Sequence, residues 1–191
     1  MSEFKVHLPH WADKILTVLK EEAGQIRPRQ HVFSLASRAI PPRIGNELRA
    51  TFLRLRGIEV GTGTILYDTP ELSGGEARGF SNLTIGCNCT IDLGCKFELG
   101  DKITIGDSVT LGYQVLIITS THELGPREHR AGLLVRNPVK IDEGAWIGSR
   151  CVILPGVTIG AGAIVEPCSV VNREIAPHTR VRGIPARRVD A

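Results

Sequence analysis

The sequence predicts a mainly β fold in which short strands wind into a stacked coil, and two observations carry that prediction. Apolar residues return at every sixth position from Asn82 to Val171, and glycines recur directly after the apolar positions. In the first arm Ile85, Ile91, Phe97, Ile103, Val109 and Val115 form one column, with Cys87, Leu93, Leu99, Ile105, Leu111 and Ile117 two residues on. The series breaks around Thr121-His122-Glu123-Leu124 and then resumes. Ile141, Ile147, Ile153, Ile159, Val165 and Val171 keep the interval, with Val139, Ala145, Cys151, Val157, Ala163 and Ser169 two places before them. A period of six fits neither a helix nor a long alternating strand, but it suits short strands joined by sharp, regular turns. Gly94, Gly100, Gly106, Gly112, Gly148 and Gly160 mark those turns, where a Cβ would oppose the backbone angles required. A sandwich of ordinary hairpins would instead show uneven strand lengths and Asn-Gly pairs at variable intervals.

Residues 1–57 differ in character and read as an N-terminal helical segment, leaving 58–191 for the coil and a C-terminal tail. Trp11, Ile15, Leu16, Val18 and Leu19 form an apolar stripe that stops at Gly24, and a second short helix fits Val32 to Ala39 before Pro41-Pro42. A third helix is expected to place Ile44, Leu48, Phe52 and Leu55 on its packed side, with Arg43, Arg49, Arg54 and Arg56 elsewhere and Gly57 as its stop. Such helices would cover an end or edge of the coil, whose backbone groups are otherwise unpaired. The six-residue spacing starts weakly through Val60, Leu66 and Leu72, pauses at Ser73 to Gly79 as a surface loop, and becomes regular at Leu83. Ile85-Gly86 and Ile105-Gly106 are twenty residues apart, which requires a two-residue slip near Phe97.

Composition narrows the classes of function. A net charge of +3, without a basic stripe interleaved with aromatics, gives no indication of nucleic acid. No run approaches the roughly 18 apolar residues of a membrane span, and no secretory leader is evident, so a cytoplasmic protein is expected. Five cysteines, none in a Cys-x-x-Cys pair, indicate neither a zinc knuckle nor a disulfide framework. Cys87 and Cys151 fall in the apolar columns and read as small buried hydrophobes.

Several longer stretches have a recognisable pattern: Ile103-Thr104-Ile105-Gly106-Asp107, the Thr121-His122 break, Pro138 to Ile141 leading into Gly144-Ala145-Trp146-Ile147-Gly148-Ser149, Pro155 to Gly160, and Gly183-Ile184-Pro185-Ala186. On these residues the chain resembles the hexapeptide-repeat acyltransferases, especially those acting on maltose, galactosides and nodulation sugars. The resemblance covers about Asn82 to Val189. It implies a left-handed parallel β-helix of hexapeptide repeats, to which the sequence adds N-terminal α-helices, unlike the short helical domain typical of the maltose enzymes, and a protruding loop. It also implies a homotrimer in which His122 of one subunit faces Trp146 of another.

Transfer of an acyl group to a hydroxyl needs a base, because a sugar hydroxyl does not ionise at neutral pH. His122, where the repeat opens into a loop, matches the family's general base. Glu123 and Glu128 are weaker candidates for orienting its ring. Asp92 occupies the position of a family Asn thirty residues before the base, and a carboxylate cannot donate as an amide does. The resemblance further implies that acetyl-CoA is the acyl donor and that no metal is required. Gly148 and Ser149 are the candidates to meet the oxyanion, and Trp146 lines the cleft. Ser149, Pro167, Asn172 and Arg173 line the coenzyme A groove, with Arg187 near the nucleotide phosphates. Arg180, Arg182 and Arg188 add positive charge nearby. The polar stretch Glu123 to Arg136 is expected to shape the site of a saccharide or glycoconjugate acceptor.

Three readings compete at this point. The first is an O-acetyltransferase with direct attack in a ternary complex, with N-acetyl or longer-chain transfer as variants. A non-catalytic scaffold is the second. A γ-type carbonic anhydrase is the third, but it needs three zinc histidines and the repeat holds only His122 and His129.

Overall fold

The computed structural model describes residues 40–41, 43–74 and 80–189. The first two expected helices lie outside these residues, as does most of the expected loop after Ser73.

Short β-branched strands separated by turns cannot bury two faces alone, so they stack turn upon turn. The result is a left-handed parallel β-helix with three flanks. The first flank is a five-stranded sheet of Glu59–Val60, Leu83–Ile85, Ile103–Ile105, Val139–Ile141 and Thr158–Ile159. The second contains Ile65–Leu66, Thr90–Ile91, Thr110–Leu111, Trp146–Ile147 and Ile164–Val165, and ends in Arg180–Arg182 paired antiparallel with Arg187–Arg188. The third contains Glu71–Ser73, Lys96–Glu98, Leu116–Ile117, Val152–Ile153 and Val170–Val171. In register, Ile85 lies beside Ile105 and then Ile141, and Ile91 beside Leu111 and then Ile147. Phe97, Ile117 and Ile153 stack in the same way on the third flank.

These pairings correct the columns drawn from the sequence. The buried partners of Ile91 and Phe97 are Cys89 and Cys95, whereas Cys87 and Leu93 sit half-buried at corners. The slip falls at Glu98 to Lys102, where the coil takes two extra residues and Leu99 is buried as an addition to the repeat. The glycines are also needed for a different reason. Only Gly94 among the six has a left-handed backbone, at φ +73°. At Gly112 a methyl would come within 2.7 Å of the Ser149 nitrogen in the next coil, so there the absence of a Cβ allows stacking. The left-handed corner positions are held largely by other residues, including Asn88, Ser108, Gln114, Arg150 and Cys168.

One helix precedes the coil among the described residues, α1 at Asn46–Leu55. Its packed side departs from the expected one, although Phe52 is half-buried and Arg43 and Arg54 are exposed as expected. Arg49, Ala50 and Leu53 are buried, while Ile44, Leu48 and Leu55 are exposed. Arg49 is fully enclosed and needs no carboxylate, because its guanidinium donates to the main-chain oxygens of Ile40, Pro41, Ile44 and Leu66. Five donors in a fixed fork can satisfy several carbonyls at once, and this binds the helix and its approach to the first coil. No described helix is long and apolar enough to cross a membrane.

Candidate functional site

The break in the repeat is a β-hairpin. Ser120–Leu124 pairs antiparallel with Ala131–Arg136, so the stretch expected to be a polar loop is an ordered arm. It is also not uniformly polar, since Leu124 and Leu133 are 82% and 76% exposed. The register shifts between His122 and Leu124. A bulge of this kind re-aims a side chain out of the regular alternation. Here it brings His122 Nδ1 within 2.8 Å of the Gly132 carbonyl oxygen on the opposite strand. A carbonyl can only accept, so Nδ1 carries a proton and, in the neutral ring, the lone pair lies on Nε2. Gly132 is required for this approach, because a methyl there would come 2.9 Å from the Glu123 carbonyl oxygen.

The group that fixes the His122 ring is therefore a main-chain carbonyl, not Glu123 or Glu128. Sequence reasoning missed it because every residue carries that group. The only local signal was Gly132 in an otherwise bulky strand.

The other expected residues sort onto two corners that flank the third sheet. Asp92, Gly148, Ser149 and Pro167 stack where the second flank turns into the third. Asp92 N–H donates to Leu111, Gly112 N–H to Ile147 and Gly148 N–H to Val165 in successive coils. His122, Asn172 and Arg173 stand on the corner where the third flank turns into the first. Asp92 Oδ1 accepts from the Leu93 N–H at 2.9 Å. The Gly148 N–H is committed to the Val165 oxygen at 2.7 Å, which removes it as an oxyanion donor and corrects its expected role. Ser149 Oγ accepts from the Tyr113 N–H at 3.2 Å. Trp146 points out from the second flank and is 53% exposed.

At the C-terminal end of the coil, Arg173, Arg187 and Arg188 line a groove of about 290 Å³ together with Glu174. Ile175, Val181 and Ala186 form its apolar lining. A groove with an apolar wall and a lining in which arginines outnumber carboxylates suits an acyl-carrier arm ending in phosphates. Arg180 is drawn away from that role by its ion pair with Glu166 at 2.6 Å. Among the described residues no three His, Cys, Asp or Glu side chains gather as a metal-binding group.

Residues 138–173 match the family model for bacterial transferase hexapeptide (six repeats). A putative acetyltransferase of Schizosaccharomyces pombe is 36% identical over 75 residues, which are 39% of this chain and 36% of that relative. The chain resembles the hexapeptide-repeat acetyltransferases in both sequence and fold. A hexapeptide-repeat acetyltransferase of Vibrio cholerae superposes with a TM-score of 0.69 at 28% identity, covering 84% of this chain and 89% of that one. A galactoside acetyltransferase in complex with coenzyme A gives a TM-score of 0.70 at 25% identity, covering 88% and 80%. The sequence match to the Schizosaccharomyces pombe relative spans little more than a third of its length, whereas these structural matches span most of the hexapeptide coil.

Proposed function

We propose that the chain is an acetyl-CoA-dependent O-acetyltransferase that acts on a hydroxyl of a saccharide or glycoconjugate, with His122 as general base. The observation that carries this reading is the Gly132 carbonyl on His122 Nδ1, which leaves Nε2 as the proton acceptor on an exposed arm. The likeness to a galactoside acetyltransferase that binds coenzyme A supports both the donor and the class of acceptor.

In this mechanism the acceptor hydroxyl oxygen attacks the thioester carbonyl carbon while its proton passes to Nε2. Collapse of the tetrahedral adduct breaks the C–S bond, and the imidazolium returns the proton to the departing thiolate. Ser149 supplies the N–H for the oxyanion. A fixed donor of this kind contributes about 3 to 4 kcal/mol in other acyl-transfer enzymes. Asp92 accepts a hydrogen bond from the acceptor sugar, and Trp146 forms an aromatic wall. Pro167 and Asn172 line the path of the pantetheine arm, with Arg173 and Arg187 on the phosphates. A homotrimer completes the site, with the arm of one copy facing Trp146 of the next. The free cysteines suit the reducing cytoplasm.

The test is release of coenzyme A thiol from acetyl-CoA with a panel of sugars and glycosides. His122→Ala is expected to lower kcat by about 10²- to 10⁴-fold, the usual share of a general base. Turnover that survives this change removes His122 from the mechanism. If no sugar is acetylated and acetyl-CoA leaves the melting temperature unmoved, the coil is a scaffold instead.

A further inference from the structure

We propose that Glu98 is the positioning residue of the His122 arm, a carboxylate latch joining one coil to the root of the hairpin in the next. The proposal rests on the reading of His122 as the base. Glu98 lies at the start of the two-residue slip, the one place where the first regular coil departs from its period. Its Oε1 accepts the Gly100 N–H at 2.9 Å. Its Oε2 accepts the Thr119 N–H at 2.9 Å and the Thr119 hydroxyl at 2.8 Å. That hydroxyl also lies 2.8 Å from the Glu98 carbonyl oxygen and accepts the Asp101 N–H at 2.9 Å.

Thr119 is completely buried and forms the hinge of the arm. Its own carbonyl accepts the Asn137 N–H at 2.8 Å, so the outgoing and returning strands are both tied to this residue. His122 is three residues further along an extended strand, about 10 Å from the latch at the usual strand rise.

The surroundings are shaped for a carboxylate. A methyl at Gly100 would lie 2.6 Å from Oε1, and one at Gly74 2.5 Å from the same atom. Gly74, at φ +75°, comes from the preceding coil, so two successive turns of chain leave room for this group. Burial opposes its charge, yet the donors from the Thr119 backbone and hydroxyl, Ser120 and Gly100 outweigh it and hold the carboxyl below the usual Glu range. Both oxygens face donors. An amide would therefore set N–H against N–H whichever way it turned.

The experiment compares the full chain with Glu98→Gln, Thr119→Val and Thr119→Ser. Amide hydrogen exchange is followed without substrate, and kcat and KM are measured with acetyl-CoA. Glu98→Gln and Thr119→Val should speed exchange across residues 118–137 by about tenfold or more, as loss of a charged hydrogen bond implies. Exchange in Ile141 to Val171 should stay as in the parent. In the same two variants kcat should fall by about a hundredfold with KM for acetyl-CoA little changed, the cost of a base displaced by an ångström. Thr119→Ser, which keeps the hydroxyl, should restore both. Parental exchange in the arm of Glu98→Gln overturns the latch. A loosened arm with parental kcat overturns the positioning role. If Glu98→Gln exchanges rapidly throughout the coil, the Thr119→Val and Thr119→Ser pair decides alone. If His122→Ala keeps full turnover, the base reading fails by itself, and the exchange comparison still judges the latch.

Discussion

Two corners of the coil are tight and the third is loose. Where the first flank turns into the second, the left-handed position is filled in successive coils by Gly63, Asn88, Ser108, Gly144, Gly162 and His178. Gly94, Gln114, Arg150 and Cys168 do the same at the next corner. The turn amides at both corners bond to the coil before, as Ser108 does to Cys87 and Arg150 to Tyr113. On the third corner the chain lengthens three times: between Glu71–Ser73 and Leu83–Ile85, between Lys96–Glu98 and Ile103–Ile105, and between Leu116–Ile117 and Val139–Ile141. The lesson is that this coil fixes its pitch at two corners and varies at one. The arm bearing His122 grows from the variable one.

The largest effect is expected from disturbing a tight corner. Gly106→Ala would place a methyl 2.8 Å from the Glu143 nitrogen and 3.0 Å from the Asp142 carbonyl carbon. Backbone cannot rotate away as a side chain can, so overpacking should destabilise the fold by about 1–3 kcal/mol in urea titrations. An unchanged midpoint would show that the corners are not closely stacked in solution.

An intermediate and local effect belongs to the loose corner. The lowered pKa of Glu98 means that the folded state holds its proton less tightly than the unfolded chain does. The stabilisation is thus present above the ordinary Glu value and lost as pH falls through the lowered folded value. Hydrogen exchange, corrected for its intrinsic pH dependence, should show residues 118–137 losing protection in that window while Ile141 to Val171 keep theirs. Uniform loss across both regions would merge the arm with the coil.

The smallest effect should come from the tip of the arm. Two glycines inserted between Arg127 and Glu128, both exposed, lengthen a closed loop only slightly and should cost less than about 0.6 kcal/mol. A larger loss would show that the tip packs against something, and the exposed Leu124 and Leu133 would be the first residues to examine.

The period of six made the coil legible because inward positions such as Ile147 and Ile153 have one environment, coil after coil. Where the environment changed, the reading failed. Ile44, Leu48 and Leu55 look like a packed stripe, yet Arg49 is buried in their place, because carbonyls that no sequence pattern advertises satisfy its guanidinium. The slip could be counted but not located, since either side of Phe97 preserves the spacing. At the candidate site, His122 stood out as the break in the repeat, whereas the Gly132 carbonyl behind it and the Glu98 carboxylate beneath it did not. Both act through pairings across the chain, and strand register alone reveals them.

The sulfur chemistry of the chain follows from the same stacking. Cys89, Cys95 and Cys151 face inward, and desolvation raises each thiol, Cys95 to about 11. At neutral pH these three remain protonated and sealed from oxidants. Cys168 stands exposed on a tight corner one residue from Pro167. The protein therefore ages from its surface: an oxidising or alkylating reagent meets Cys168 long before it meets the core, and the first chemical scar forms at that corner, leaving the spine of the coil intact.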